Sequence, residues 1–136
     1  MKLTLERLDD ALHFVGKNEK GLQTEFGASA LGGESKALSP MEHLLLSAAA
    51  CSSIDVVLIL KKMKQELRDI KVEVSGVRRD EEPKIFVEIE LKYTLFGDLE
   101  LDKAQRATSL AVEKYCSVLT MLQHDAKISH QLEILP

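Results

Sequence analysis

Apolar and polar positions alternate at three places near the start of the chain. The stretches "KLTLERL" (2–8), "ALHFVGK" (11–17) and "GLQTEFGA" (21–28) alternate in short runs, with Leu3 and Leu5, Leu12 and Phe14, and Leu22 and Phe26 on one side. Asp9-Asp10 and "NEKG" separate them. Period two with turn residues between predicts a small antiparallel meander. "SALGGESKALS" (29–39), with Gly32-Gly33 and polar neighbours, reads as a loop. The pattern then changes. "SPMEHLLLSAAACSSIDVVLILKKMK" (39–64) is apolar on every side of a helix between its two ends. Ser39 suits the N-cap, Pro40 the first helical position, and Glu42 the third position of a capping box. Lys61, Lys62 and Lys64 oppose the dipole at the other end. A helix over 39–65 that is apolar all round is expected to be buried all round.

Alternation returns at Ile70, Val72 and Val74, breaks at "RRDEEP", and resumes at Ile85, Val87, Ile89, Leu91 and Tyr93. That is a hairpin. Ala104, Ala107, Leu110 and Ala111 mark one stripe of a helix from Asp102 to Tyr115. "SVLTMLQHDA" makes a second, short helix directly after Cys116, and Ile128, Leu132 and Ile134 suggest a final strand. The order β-β-β-α-β-β-α-α-β is α+β. The expected organisation is a single domain over 1–136. It divides into strands and loop at 1–38, a central helix at 39–65, and a hairpin, two helices and a last strand at 66–136.

Composition narrows the partners. The 136 residues are 45% hydrophobic with no tryptophan, so the core is aliphatic. A net charge of −4, with no basic run, argues against nucleic acid. The first ten residues have no apolar signal region. The apolar run Leu44 to Leu60 is short for a membrane span and contains Asp55. A cytoplasmic protein with reduced thiols is the expectation.

Metal ligation has no support: His13, His43, His124 and His130 lack H-x-x-x-H spacing, and the cysteines make no C-x-x-C. Neither G-x-G-x-x-G, a P-loop nor a G-x-S-x-G elbow is present. Two cysteines remain. Cys51 sits among small residues in "SAAACSS", which let a substrate or another backbone approach. Asp55 lies one turn on, on the same face. An aspartate in an apolar helix must be paired, hydrogen-bonded or protonated, so it serves either a salt bridge or the tuning of a site. Cys116 stands where one helix ends and another begins, a place where a thiol pKa can be lowered. Both cysteines also fit inert core thiols. The capping box alone accounts for Glu42. Arg78 and Arg79 fall in a turn, and His13 is expected to face solvent.

Through "SPMEHLLLSAAACSSIDVV" and "AVEKYCSVLTML", in that order with a hairpin between, the sequence resembles the OsmC/Ohr family of osmotically inducible and organic-hydroperoxide-resistance proteins. "CSSIDVV" and "EKYCSV" look most like its YhfA-like branch. The resemblance implies an OsmC-like fold, with antiparallel sheets around a central buried helix. It implies an intertwined homodimer with sites at the subunit interface, and a thiol peroxidase acting on organic hydroperoxides. Cys51 matches the peroxidatic cysteine and Cys116 the resolving one. Their disulfide would be reset by an external dithiol, with no metal, haem or flavin needed. Two positions depart from the family. Its catalytic glutamate directly follows the proline, where this chain has Met41, with Glu42 one later. Along one helix Glu42 and Cys51 fall on opposite faces, roughly 13 Å apart. The family's N-terminal-loop arginine has no counterpart in "GKNEKGLQTEFG", and Arg7 is the only arginine before the helix. A second reading is a dimeric binding protein for a small apolar or acyl ligand, with residual thiols.

Overall fold

The computed structural model describes residues 1–136. Residues 1–44 and 45–136 form two compact units. In the first, β1 (Leu3–Arg7), β2 (His13–Asn18) and β3 (Gln23–Gly27) make the antiparallel meander that the alternation predicts. Side-chain carbonyl and carboxyl groups shape its turns. Asp9 Oδ1 accepts from the Ala11 N–H at 3.0 Å. Asn18 Oδ1 accepts from the Lys20 and Leu22 N–H groups at 3.0 Å, with Gly21 at φ 84°. Such Asx turns replace ladder bonds where the chain reverses. Leu3 and Leu5 of β1 are exposed. His13 does not face solvent as alternation suggests. Its ring is largely covered and bonds the Glu25 carboxylate on β3.

The long helix α1 (Pro40–Lys62) begins as the capping box requires. Ser39 Oγ accepts the Glu42 N–H at 3.1 Å, and Glu42 Oε1 accepts the Ser39 N–H at 2.9 Å. His43 stacks on Phe26 of β3 with ring centroids 4.0 Å apart. The other end closes by a Schellman arrangement: the Gln65 N–H reaches the Leu60 carbonyl and the Lys64 N–H that of Lys61. Lys64 stands at φ 57°, the left-handed position that glycine usually fills. The helix therefore ends a little before the expected boundary at residue 65.

In the second unit, β4 (Asp69–Arg78), β5 (Phe86–Phe96) and β6 (Lys127–Leu135) form a sheet in that order. The hairpin pairing is antiparallel, but β6 lies parallel to β5, so the sheet is mixed and not antiparallel throughout. A parallel neighbour needs a long crossover. Helices α2 (Leu101–Leu110) and α3 (Ser117–Leu122) supply it. A slip between Val77 and Arg78 shifts the hairpin register. Phe86 thereby takes the buried place that strict alternation gave to Ile85 and Val87. Gly76 makes room for it: a Cβ there would lie 2.6 Å from the Phe86 ring. Arg78 and Arg79 bind the turn itself, donating to the Lys84 and Pro83 carbonyls at 2.6 Å.

Within this chain α1 is not buried all round. Ala48, Ala49, Ser52, Val56 and Leu60 form its buried stripe, while Leu46, Ile54, Val57 and Leu58 are exposed. By length and composition the helix is also apolar enough to cross a membrane. Its buried stripe shows that protein covers one face. The apolar face opposite is what hydropathy alone could not resolve: it reports what a residue prefers, not what this chain provides to cover it.

Candidate functional site

Cys51 lies mid-way along α1 and is half-buried; Cys116 is fully buried. The second thiol owes its place to a change of helical pitch. After α2 the chain makes a π-helical turn, Ala111–Tyr115, closed by the Cys116 N–H on the Ala111 carbonyl at 2.9 Å. Cys116 then leaves the helical conformation (φ −68°, ψ 111°) and caps α3. Its sulfur accepts the Leu119 N–H at 3.4 Å, and its S–H points to the Ala48 carbonyl of α1 at 3.9 Å. A π turn inside a helix often marks a functional position.

The expected lowering of the Cys116 pKa does not occur. Burial pushes the thiol up to about 11, with the Leu119 N–H pulling the other way and the neighbouring Cys51 adding to the rise as hydrogen-bond partner and as charge. Loss of water costs the thiolate more than the Leu119 and Val118 N–H groups return, and six residues of α3 make a short dipole. Cys51, far away in sequence, thus lies near enough to Cys116 to act on it.

Two residues to which the sequence assigned no part in the site complete the surroundings. Ser52 is fully buried, and its Oγ donates to the Ala48 carbonyl at 2.8 Å, with Ala49 at 3.2 Å. The same oxygen lies 2.5 Å from the Tyr93 hydroxyl of β5. A serine has one proton. Since the Ser52 proton is on the helix carbonyl, the Tyr93 O–H donates to Ser52. Burial, opposed by that bond and aided by the charges of Cys116, Asp55 and Cys51, pushes Tyr93 up to about 12. It is therefore a neutral phenol beside the thiols. A serine within an apolar helix was the available signal, because a buried hydroxyl demands a partner.

Asp55 is half-buried, and no salt bridge joins it. It borders a cavity of about 360 Å³ with Leu58, Ile59, Met63, Leu110 and Tyr115, and Lys62 also lines it. Glu42 is exposed and engaged in the cap of α1, where the Ser39 N–H and hydroxyl hold its carboxyl below the usual carboxylate range. No three His, Cys, Asp or Glu side chains converge so as to hold a metal ion.

Fold and sequence together place the chain in a family. The profile described as "OsmC-like protein" matches residues 32–131, and the chain belongs to that family. Protein YhfA of Escherichia coli K12 is 39% identical over 127 residues, covering 93% of this chain and 92% of that protein. Among solved structures, a hypothetical protein from Aquifex aeolicus VF5 is similar at a TM-score of 0.82. It is 39% identical, with 99% of this chain and 97% of that chain covered. The organic hydroperoxide resistance protein OhrB of Bacillus subtilis shares the fold at a TM-score of 0.66. Its identity is 18%, and 98% of each chain is covered.

Proposed function

We propose that the protein is a cysteine-based peroxidase for organic hydroperoxides. Cys51 is the attacking thiol and Cys116 the resolving one. The observation that carries this reading is a half-exposed thiol, Cys51, in the same stretch of α1 as the Ala48 carbonyl to which the fully buried Cys116 S–H points at 3.9 Å. The similarity in fold to OhrB of Bacillus subtilis, an organic hydroperoxide resistance protein, supports the substrate class.

The Cys51 thiolate attacks the terminal peroxide oxygen. The O–O bond breaks, an S–O bond forms, and the alkoxide leaves as an alcohol once it takes up a proton. Sulfur is oxidised by two electrons to a sulfenic acid. The Cys116 sulfur then attacks the Cys51 sulfur; the hydroxyl of the sulfenic acid leaves with the Cys116 proton as water, and the disulfide forms. An external dithiol returns both thiols by exchange and becomes a disulfide itself. A buried, protonated Cys116 suits this division of labour: it does not compete for peroxide, and it carries the proton that the leaving hydroxyl needs.

A homodimer belongs to the same proposal. Leu46, Ile54, Val57 and Leu58 leave α1 with an apolar face that a second copy can cover. Asp55 borders that face and tunes the site electrostatically. Glu42, engaged in its cap, supports a structural role better than a catalytic one.

The test is hydroperoxide consumption with a dithiol reductant. Cys51→Ser is expected to abolish it. Cys116→Ser is expected to form no intramolecular disulfide and to lose activity as excess peroxide carries the Cys51 sulfenic acid to the sulfinic acid. Unchanged consumption in Cys51→Ser removes the proposal. The second reading, a binding protein for a small apolar or acyl ligand, draws on the largely apolar cavity beside Asp55. It predicts ligand binding that is indifferent to both thiols.

A further inference from the structure

Three elements of the second unit meet at one buried point. Tyr93 comes from the middle of β5, Ser52 and Ala48 from successive turns of α1, and Cys116 from the junction before α3. The links are continuous: Tyr93 O–H to Ser52 Oγ at 2.5 Å, Ser52 O–H to the Ala48 carbonyl at 2.8 Å, and Cys116 S–H to that same carbonyl at 3.9 Å. Every member is buried, and each of the three side chains is at most 1% exposed. Ser52 directly follows Cys51, so whatever fixes the Ser52 hydroxyl also fixes the turn of α1 that presents the Cys51 sulfur.

We infer that Tyr93 is a positioning residue for disulfide closure, acting through Ser52 and the Ala48 carbonyl. The hydrogen bond from Tyr93 fills the acceptor site of Ser52 and commits the Ser52 proton to the helix. It pins the Ala48–Ser52 turn to β5. The Ala48 carbonyl in turn gives Cys116 an acceptor that aims its sulfur at the turn carrying Cys51. The device sets the approach of one sulfur to the other. It touches neither peroxide nor reductant. Tyr93 can do this because its phenol stays neutral; a phenolate would place a third negative charge beside two thiols that must ionise or react in turn. Apart from the phenol and the sulfurs, Asp55 is the other charged group that acts on this point.

The inference rests on the peroxidase reading, and its test separates the two. Once Cys51 is a sulfenic acid it has two fates. Attack by Cys116 gives the disulfide. A second peroxide gives a sulfinic acid, with another S–O bond formed and another alcohol released. Slower closure sends more protein to the sulfinic acid. Intact-mass spectrometry of wild type and Tyr93→Phe, treated with the same organic hydroperoxide without reductant, reads the partition directly. The sulfinic-to-disulfide ratio is expected to rise about fivefold in Tyr93→Phe, the rate equivalent of one ordinary hydrogen bond. Ser52→Ala is expected to raise it similarly, and serves alone if Tyr93→Phe does not fold. The double variant is expected to match the single ones, because both remove the same link. A loss of stability alone does not move the partition while the protein remains folded. Wild-type disulfide with an unchanged ratio in the variants overturns this inference and leaves the peroxidase standing. Absence of any Cys51 oxidation in wild type overturns both.

Discussion

The two cysteines differ in what surrounds them, and that difference has a measurable pH signature. Cys116 ionises at about 11 in the folded chain against an ordinary 9.0. Between those values the unfolded chain releases its proton first, so rising pH favours unfolding. The contribution of the buried thiol is thus complete below pH 9.0 and lost as pH climbs to about 11. Tyr93 behaves in the same sense at higher pH, from an ordinary 10.0 to about 12. Urea midpoints measured across this alkaline window are expected to fall, and to fall less steeply in Cys116→Ala, where only Tyr93 contributes. Equal slopes would show that burial of the thiol is not what the stability senses. Alkylation should follow the same logic, with Cys51 modified first and Cys116 resistant until the protein opens. The sequence placed both thiols and Asp55 correctly within their elements. It misjudged the Cys116 thiol because a position beside a helix start says nothing about depth, and depth outweighs a short dipole.

Among the elements, α1 combines a strong start with a strained stop. The start was legible: Ser39, Pro40 and Glu42 spell a capping box, and the box forms. Its carboxylate contributes above the ordinary value of 4.5, and that contribution fades as pH falls below it, since the folded group holds its proton less tightly. The stop was less legible. Three lysines suggested dipole compensation, but Lys64 itself adopts a left-handed conformation with φ 57°. Lys64 is exposed, so Lys64→Gly is expected to stabilise the chain by about 0.5–1 kcal/mol, by relieving a conformation that a side chain disfavours. Thermal unfolding checks this, and a lower midpoint would mean that the lysine makes compensating contacts. The hairpin carries a similar lesson. Its strands were read from alternation, yet the register slip at Val77–Arg78 moves the core position to Phe86. A bulge is invisible to a period-two count because it changes the phase and leaves the period intact.

For the whole molecule, the question is what covers the second face of α1. Leu46, Ile54, Val57 and Leu58 are exposed in the single chain, as are Leu3 and Leu5 of the meander. So many apolar side chains without cover point toward association. The wild-type protein is expected to be a dimer by light scattering, and Ile54→Asp with Leu58→Asp is expected to give monomer or loss of solubility. A well-behaved wild-type monomer would oppose the dimer. Catalysis belongs to this scale too. Cys51→Ser is expected to remove hydroperoxide consumption, and peroxide treatment of wild type should lower the mass by about two daltons, one for each thiol hydrogen lost to the disulfide.

Local pattern alone determined the order of elements, the capped start of α1 and the two cysteines worth attention. Each depends on neighbours in sequence: periodicity, capping spacing and residue type are written within a few positions. Tertiary structure alone decided three things. It turned β6 parallel to β5, it raised the Cys116 pKa by closing water out, and it joined Tyr93 to Ser52 beneath the thiols. Each of these depends on which distant segments come to lie together. That is set by competition for burial across the chain, and no window of sequence contains both competitors.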